Sequence, residues 1–233
     1  MNVGFPDGTG GPHVFVDDIQ NPALSEDDLH HLRRVRRLRD GDSITVSDGA
    51  GRWVAARFGE SPELAGEIVN VESRTPSIRV GIVAVKGDRT SWAVQKLTEL
   101  GVDQVVLIES SRSVVRWNGA RADKAIERLK GVARSAAAQS RQVWLPEVVG
   151  PVAATDALSW GGVSVAHRGG GKPSLTHPTL LIGPEGGWSE DELGVAEHLV
   201  DLGPGVLRAE TAAVAGATLL CGIRNLLVRG HAE

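Results

Sequence analysis

The chain has a single cysteine, Cys221, among 233 residues, which excludes a disulfide framework and fits a reducing compartment. Long apolar runs are also missing. The longest, residues 212–223, falls short of the roughly 20 residues a membrane span needs and suits a buried helix. The start, Met1-Asn2-Val3-Gly4-Phe5-Pro6, has neither the basic flank nor the apolar core of a signal peptide. Membrane, secreted and fibrous classes are therefore set aside, and a cytoplasmic protein is expected. With one cysteine and no clustered carboxylate–histidine spacing, no metal site is expected at His30, His31 or His167; His167 reads as a packing residue, with pocket lining as the alternative. Two nucleotide signatures are absent as well. Around Gly171-Lys172 a Walker A loop would need glycine at 166 and a hydroxyl at 173, where Ala166 and Pro173 stand. Around Gly203-Pro204-Gly205 a dinucleotide fingerprint would need glycine at 208, where Arg208 stands.

What charge there is lies unevenly. The formal net charge is −4, from 25 basic and 29 acidic residues. Residues 1–75 hold no lysine, and eight arginines face thirteen acids. Five of those arginines, Arg33, Arg34, Arg36, Arg37 and Arg39, fall within residues 29–39 without an intervening acid. Such a patch on an acidic body steers a polyanion to one place, where uniform basicity would hold phosphate anywhere. The alternative is a solvated helix face flanked by Asp27, Asp28 and Asp40.

The first part reads as strands with one helix. Ser25 and Asp28 have capping-box spacing, Leu24 and Leu29 can staple, and Gly41 ends the predicted helix. Residues 44–46 and 53–55 flank Asp48-Gly49-Ala50-Gly51, a hairpin turn, and further strands are expected over 64–71. Arg74-Thr75-Pro76 marks the expected boundary. Beyond it strands (78–85, 105–108, 163–166, 180–182) alternate with helices (90–100, 121–139, 190–199, 211–228), the pattern of a parallel α/β sheet. Gly169-Gly170-Gly171 is expected to be a loop.

Two segments carry chemistry. The strand 180–182 runs into Gly183-Pro184-Glu185-Gly186-Gly187-Trp188 and then a capping box, Ser189 with Glu192. Leu202-Gly203-Pro204-Gly205-Val206-Leu207 likewise leaves an apolar strand end and leads through Arg208 and Glu210 into a helix. Ligands of parallel sheets sit at the carboxyl ends of strands. Glycines there let the backbone approach a flat ligand, and proline fixes the path. Read alone, Arg208 and Glu210 are either an ion pair within the loop or functional groups.

The pairing of GPEGGWSEDEL (183–193) with LGPGVLRAETA (202–212) resembles the RsmE family of the SPOUT (α/β-knot) RNA methyltransferases. HHLRRVRRLRDGD with SDGAG, the segment 86–110 and RSAAAQSRQVWLPEV (134–148) are similar to that family's other elements. The resemblance implies an α/β fold: a SPOUT trefoil-knot methyltransferase domain over 76–233, preceded by a small PUA-like β-barrel that binds RNA over 1–75. It implies S-adenosyl-L-methionine as cofactor, methylation of N3 of a uridine in 16S ribosomal RNA, the small ribosomal subunit as partner, and a homodimer. Carried onto this sequence, Ala166, His167, Ile182, Gly183, Pro184, Glu185, Gly186, Gly187, Leu202, Gly203, Val206, Leu207 and Thr211 would hold the cofactor. Arg208 would stabilise charge on the uracil, and Glu210 would orient Arg208 or take the N3 proton. The five arginines and Lys86 would hold phosphates. The family usually carries a basic residue where Gly205 stands and an acid where Ala138 stands. Ala209-Glu210-Thr211 in place of a Ser-Leu-Asn element favours base over ribose methylation. The remaining alternatives are another SPOUT enzyme acting on tRNA or ribose, and a non-catalytic ribosome-assembly factor.

Overall fold

The computed structural model describes residues 4–85 and 87–228. It divides into two compact units, one formed by the chain up to Ser73 together with Arg134–Leu145, the other by Arg74–Ala133 and the chain from Pro146 onward. The expectation of a boundary near 75 with everything beyond it in the second unit therefore missed the returning segment 134–145.

The first unit holds β1 (His13–Phe15), α1 (Glu26–His30), β2 (Ser43–Ser47), β3 (Arg52–Arg57), β4 (Glu63–Leu64) and β5 (Val69–Asn70) in one five-stranded sheet plus the helix. β2 and β3 form the expected antiparallel hairpin, with Val46 opposite Val54 and Ile44 opposite Ala56. These side chains pack with Val14, Ile19, Leu32 and Phe58 into the core of the unit. The other side of β2 is buried too, although it carries Thr45 and Ser47. The returning segment explains this. Its Val143 carbonyl accepts from the Gly51 amide at 2.9 Å, and its Leu145 amide donates to Gly49 at 2.9 Å. The His13 ring bonds Thr45 Oγ1 at 2.8 Å and the Gln142 carbonyl at 3.1 Å. Burial drives the His13 imidazole down to about 4, so it is neutral at physiological pH.

Ser25 caps α1 by accepting from the Asp28 amide, as its spacing predicts. The helix does not reach Gly41. It passes at His31–Val35 into a π-helical turn and stops, with Arg37 in the left-handed region at φ 58°. Only Leu32 of that turn is buried. The run of arginines has too few apolar side chains to hold a longer helix against the core.

The second unit holds β6 (Arg79–Val83), α2 (Arg89–Leu100), β7 (Gln104–Glu109), α3 (Ala120–Gln139, its end in the first unit), β8 (Glu147–Ala153), α4 (Ala154–Leu158), β9 (Val163–Gly171), β10 (Thr179–Ile182), α5 (Glu190–Gly194), β11 (Leu199–Val200) and α6 (Ala209–Arg224). Its six strands lie in the order β11-β9-β10-β6-β7-β8, every neighbouring pair parallel. One face is covered by α2, α3 and α6, through Val94, Leu97, Leu129, Ala213 and Leu220. On the other, Ala157, Leu158 and Trp188 pack on Val83, Val106 and Leu181. Strand order reverses where β10 and β7 flank β6, a reversal that opens a crevice at the carboxyl ends of the strands.

Two expectations are corrected here. The predicted helix over 190–199 ends at Gly194, because Leu199 and Val200 leave it to pair with β9. Gly169-Gly170-Gly171 is the end of β9, not a loop. A Cβ on Gly170 would stand 2.4 Å from the Leu199 carbonyl carbon, so only glycine lets these strands close up. β8 and α4 were not foreseen. Among the described residues no helix is long and apolar enough to cross a membrane.

Candidate functional site

The two Gly/Pro segments converge. At the carboxyl ends of β9, β10 and β11 they enclose a hollow of about 290 Å³. It is lined by Ala166 and His167 of β9, Ile182, and Gly183, Pro184, Glu185 and Gly187 of the first loop, with Leu202, Gly203, Val206 and Leu207 of the second. Gly186 and Thr211, expected among them, do not line it. Ala166 and His167 belong to a strand whose register against β11 jumps from Val165–Leu199 to Gly171–Val200, which frees the residues between to face the hollow.

The first loop is braced from behind. Gly183 packs so tightly on Trp188 that a Cβ would stand 2.8 Å from the indole, and Trp188 is buried. The Arg112 guanidinium donates to the Gly186 and Trp188 carbonyls, both at 3.1 Å. Ser189 and Glu192 form the expected capping box. The buried Glu192 carboxylate also accepts from the Ser111 amide at 2.9 Å and the Ser110 hydroxyl at 3.1 Å. Burial alone would raise its pKa, but the Ser189 and Ser111 amides and the hydroxyls outweigh it and hold the group below the usual carboxylate range. The second loop hangs on Asp201, which accepts from the Gly169 and Gly203 amides at 2.8 and 2.9 Å. Those two bonds lower its pKa.

The expected catalytic pair is separated. Arg208 is the exposed N-cap of α6, adjoins Leu207 and makes no ion pair among the described residues. Glu210 is buried in the first turn of α6 and faces Arg89, Oε1 to Nη1 at 3.7 Å, so it does not orient Arg208 by contact. Arg89, the first residue of α2, also donates to Glu185 at 2.7 Å. That hydrogen bond is the main reason its pKa is raised. Arg89 was not foreseen: its partners lie about a hundred residues away, and Gly-Asp-Arg-Thr reads locally as the start of a helix. Among the described residues, the buried Glu210 Oε2 has no hydrogen-bond partner. Such an acceptor is costly unless a bound molecule or solvent satisfies it.

In the first unit Arg33, Arg34, Arg36, Arg37 and Arg39 are all exposed. Arg33 lies 3.5 Å from Asp40, an exposed pair worth at most about 1 kcal/mol. Arg36 lines a hollow of about 600 Å³ with His31, Arg134 and Arg141, facing Asp27 and Asp28. Lys86 lies outside the described residues. No group of three metal-ligating side chains occurs among the described residues.

Residues 72–221 match a family model described as RNA methyltransferase domain, and residues 24–63 one described as RNA methyltransferase PUA domain. The ribosomal RNA small subunit methyltransferase E of Mycobacterium bovis is 32% identical over 212 residues, covering 80% of each chain. The chain belongs to this methyltransferase family. The Bacillus subtilis member is 28% identical, covering 84% of this chain and 88% of its own. A crystal structure of the Neisseria gonorrhoeae member bound to S-adenosyl methionine aligns with a TM-score of 0.74 at 27% identity, covering 92% of this chain and 97% of that one. The fold of the second unit is accordingly of SPOUT type, with a PUA domain preceding it.

The hollow fits a methyl donor of that class. Ile182, Leu202 and Leu207 supply apolar walls for a flat ring, and the Gly/Pro turns bring backbone groups to its edge. Gly187 and Gly203 sit at φ 69° and 135°, where a side chain is strained.

Proposed function

We propose that the protein methylates N3 of a uridine in 16S ribosomal RNA of the small subunit, with S-adenosyl-L-methionine as donor. The observation that carries this reading is the convergence of the two Gly/Pro loops on one hollow, in a chain of the ribosomal RNA small subunit methyltransferase E family. When bound, the cofactor supplies an electrophilic methyl group. The chain's own residues do the rest. The hollow binds and orients the donor mainly through main-chain groups and apolar contacts. Uracil N3 becomes nucleophilic only as its proton leaves, and charge then spreads onto O2 and O4. Arg208, beside the hollow-lining Leu207, supplies positive charge at the rim to meet it. Glu210 acts through Arg89 and not on Arg208. Because N3 is hidden in a duplex, the uridine must be unpaired or extruded. Arg33, Arg34, Arg36, Arg37, Arg39 and Lys86 hold phosphates and position the RNA, and the chain works as a homodimer.

The test is transfer of labelled methyl from S-adenosylmethionine to 30S particles from a strain lacking the activity, followed by mass spectrometry of the modified nucleotide. The expected product is N3-methyluridine. A ribose or tRNA product would overturn the substrate assignment, and no transfer would overturn the enzymatic one. Arg208→Ala should slow transfer by about 100-fold without changing cofactor affinity. A wild-type rate in that variant removes the electrostatic role.

A further inference from the structure

Beside the donor hollow, in the same unit, lies a second of about 130 Å³. Its walls are Val83, Ala84 and Val85 at the end of β6, with Val114 and Pro184, and Arg89 and Glu185 stand on its edge. Pro184 and Glu185 line both hollows, so the two meet at that turn. The smaller has less than half the volume of the larger and suits one six-membered ring. Its form is fixed from α2: the Val85 amide donates to Thr90 Oγ1 at 3.0 Å, and that hydroxyl donates back to the Val85 carbonyl at 3.1 Å.

Apolar walls with an ionic pair on one edge are the complement of a flat heterocycle with a polar edge. A carboxylate only accepts hydrogen bonds and a guanidinium only donates them. The imide edge of uracil offers a donor, N3–H, between two carbonyl acceptors, which matches Glu185 beside Arg89. Cytosine presents a lone pair at N3 and would set it against the Glu185 carboxylate. We infer that the small hollow receives the target base and that Glu185 and Arg89 read its imide edge, an inference that rests on the methyl-transfer reading above. Glu185 faces N3, and Arg89 faces a neighbouring carbonyl oxygen. Glu210, buried at 3.7 Å from Arg89, is a positioning residue that holds the guanidinium in place.

In the reaction the N3–H bond breaks and its proton passes to a Glu185 oxygen. The electron pair left on N3 forms the bond to the methyl carbon. The bond from that carbon to the sulfur of the methylsulfonium donor breaks, its pair staying on sulfur as a neutral thioether. Glu185 then returns the proton to water.

The test uses full-length Glu185→Gln and Val114→Trp in the 30S assay, each with calorimetric titration of S-adenosylmethionine. Val114 is 68% exposed and lines the small hollow but not the larger one, so the tryptophan fills it without disturbing the core. Val114→Trp is expected to bind the donor like wild type and to raise KM for the particle about tenfold or more. Glu185→Gln is expected to lose about 100-fold in kcat near neutrality, and its rate should climb about tenfold per pH unit because solvent must now remove the N3 proton. A merely structural role would lower the rate equally at every pH. The inference fails if Val114→Trp transfers at the wild-type KM, if Glu185→Gln keeps the wild-type pH profile, or if its loss of rate matches a loss of donor affinity. Absence of transfer by the wild-type protein would instead sink the underlying reading.

Discussion

The two loops that enclose the 290 Å³ hollow are alike in sequence and unlike in support. The loop 183–188 rests on a buried indole, a buried carboxylate with three hydrogen-bonding neighbours and two arginines, one of which bonds its backbone. The loop 202–207 is held mainly by one solvent-accessible carboxylate, Asp201, and its Val206 is 84% exposed. Glycine and proline therefore set the path of a loop without setting its rigidity. The first loop is a fixed wall built into the sheet, and the second owes its form to a few surface bonds that a bound ligand can supplement.

Substitutions can break or sharpen that contrast. The largest effect is expected at Glu192. Glu192→Ala leaves the Ser189 and Ser111 amides and the Ser110 hydroxyl without their acceptor, and should cost about 3 kcal/mol in urea unfolding. Because its folded pKa is lowered below 4.5, this stabilisation is full above pH 4.5 and fades as pH falls through the folded value. Glu192→Gln should therefore lose less stability on acidification than wild type. Next comes Gly183→Ala, which forces the indole of Trp188 to shift and should cost about 2 kcal/mol while weakening donor binding. On the second loop Asp201→Ala should lower donor affinity about tenfold, read by calorimetry, with little movement of the unfolding midpoint. Smallest is Val206→Ala, expected within about 0.5 kcal/mol of wild type in unfolding. Equal stability losses at Glu192 and Asp201 would erase the distinction.

Much of this support was legible only in its local part. The capping box of Ser189 and Glu192 follows from a spacing of three residues, but the reach of Glu192 to Ser110 and Ser111 depends on β7 ending beside α5, which no local pattern encodes. Arg89 escaped notice for the same reason, since Glu185 and Glu210 meet it only once the sheet is assembled. Strands and long helices of the second unit were readable because their apolar periodicity is strong. The helix predicted over 190–199 is shorter in the structure because a good cap and acidic first turn signal where a helix starts, while pairing of Leu199 with Val165 decides where it stops. In the first unit the return of residues 134–145 was invisible, because an alanine-rich helix gives no hint that its end belongs to another core.

The central claim is that main-chain groups at both loops grip one sulfonium donor. Calorimetric titration of S-adenosylmethionine into wild type and Gly203→Val tests it most directly, because Gly203 holds φ 135° with open space around it, so valine strains the loop without touching the core. One donor bound per chain by wild type, weakened about tenfold or more in a variant that still unfolds cooperatively with its midpoint lowered only by the loop strain, is the expected result. No binding by wild type, or equal affinity in the two proteins, would contradict it.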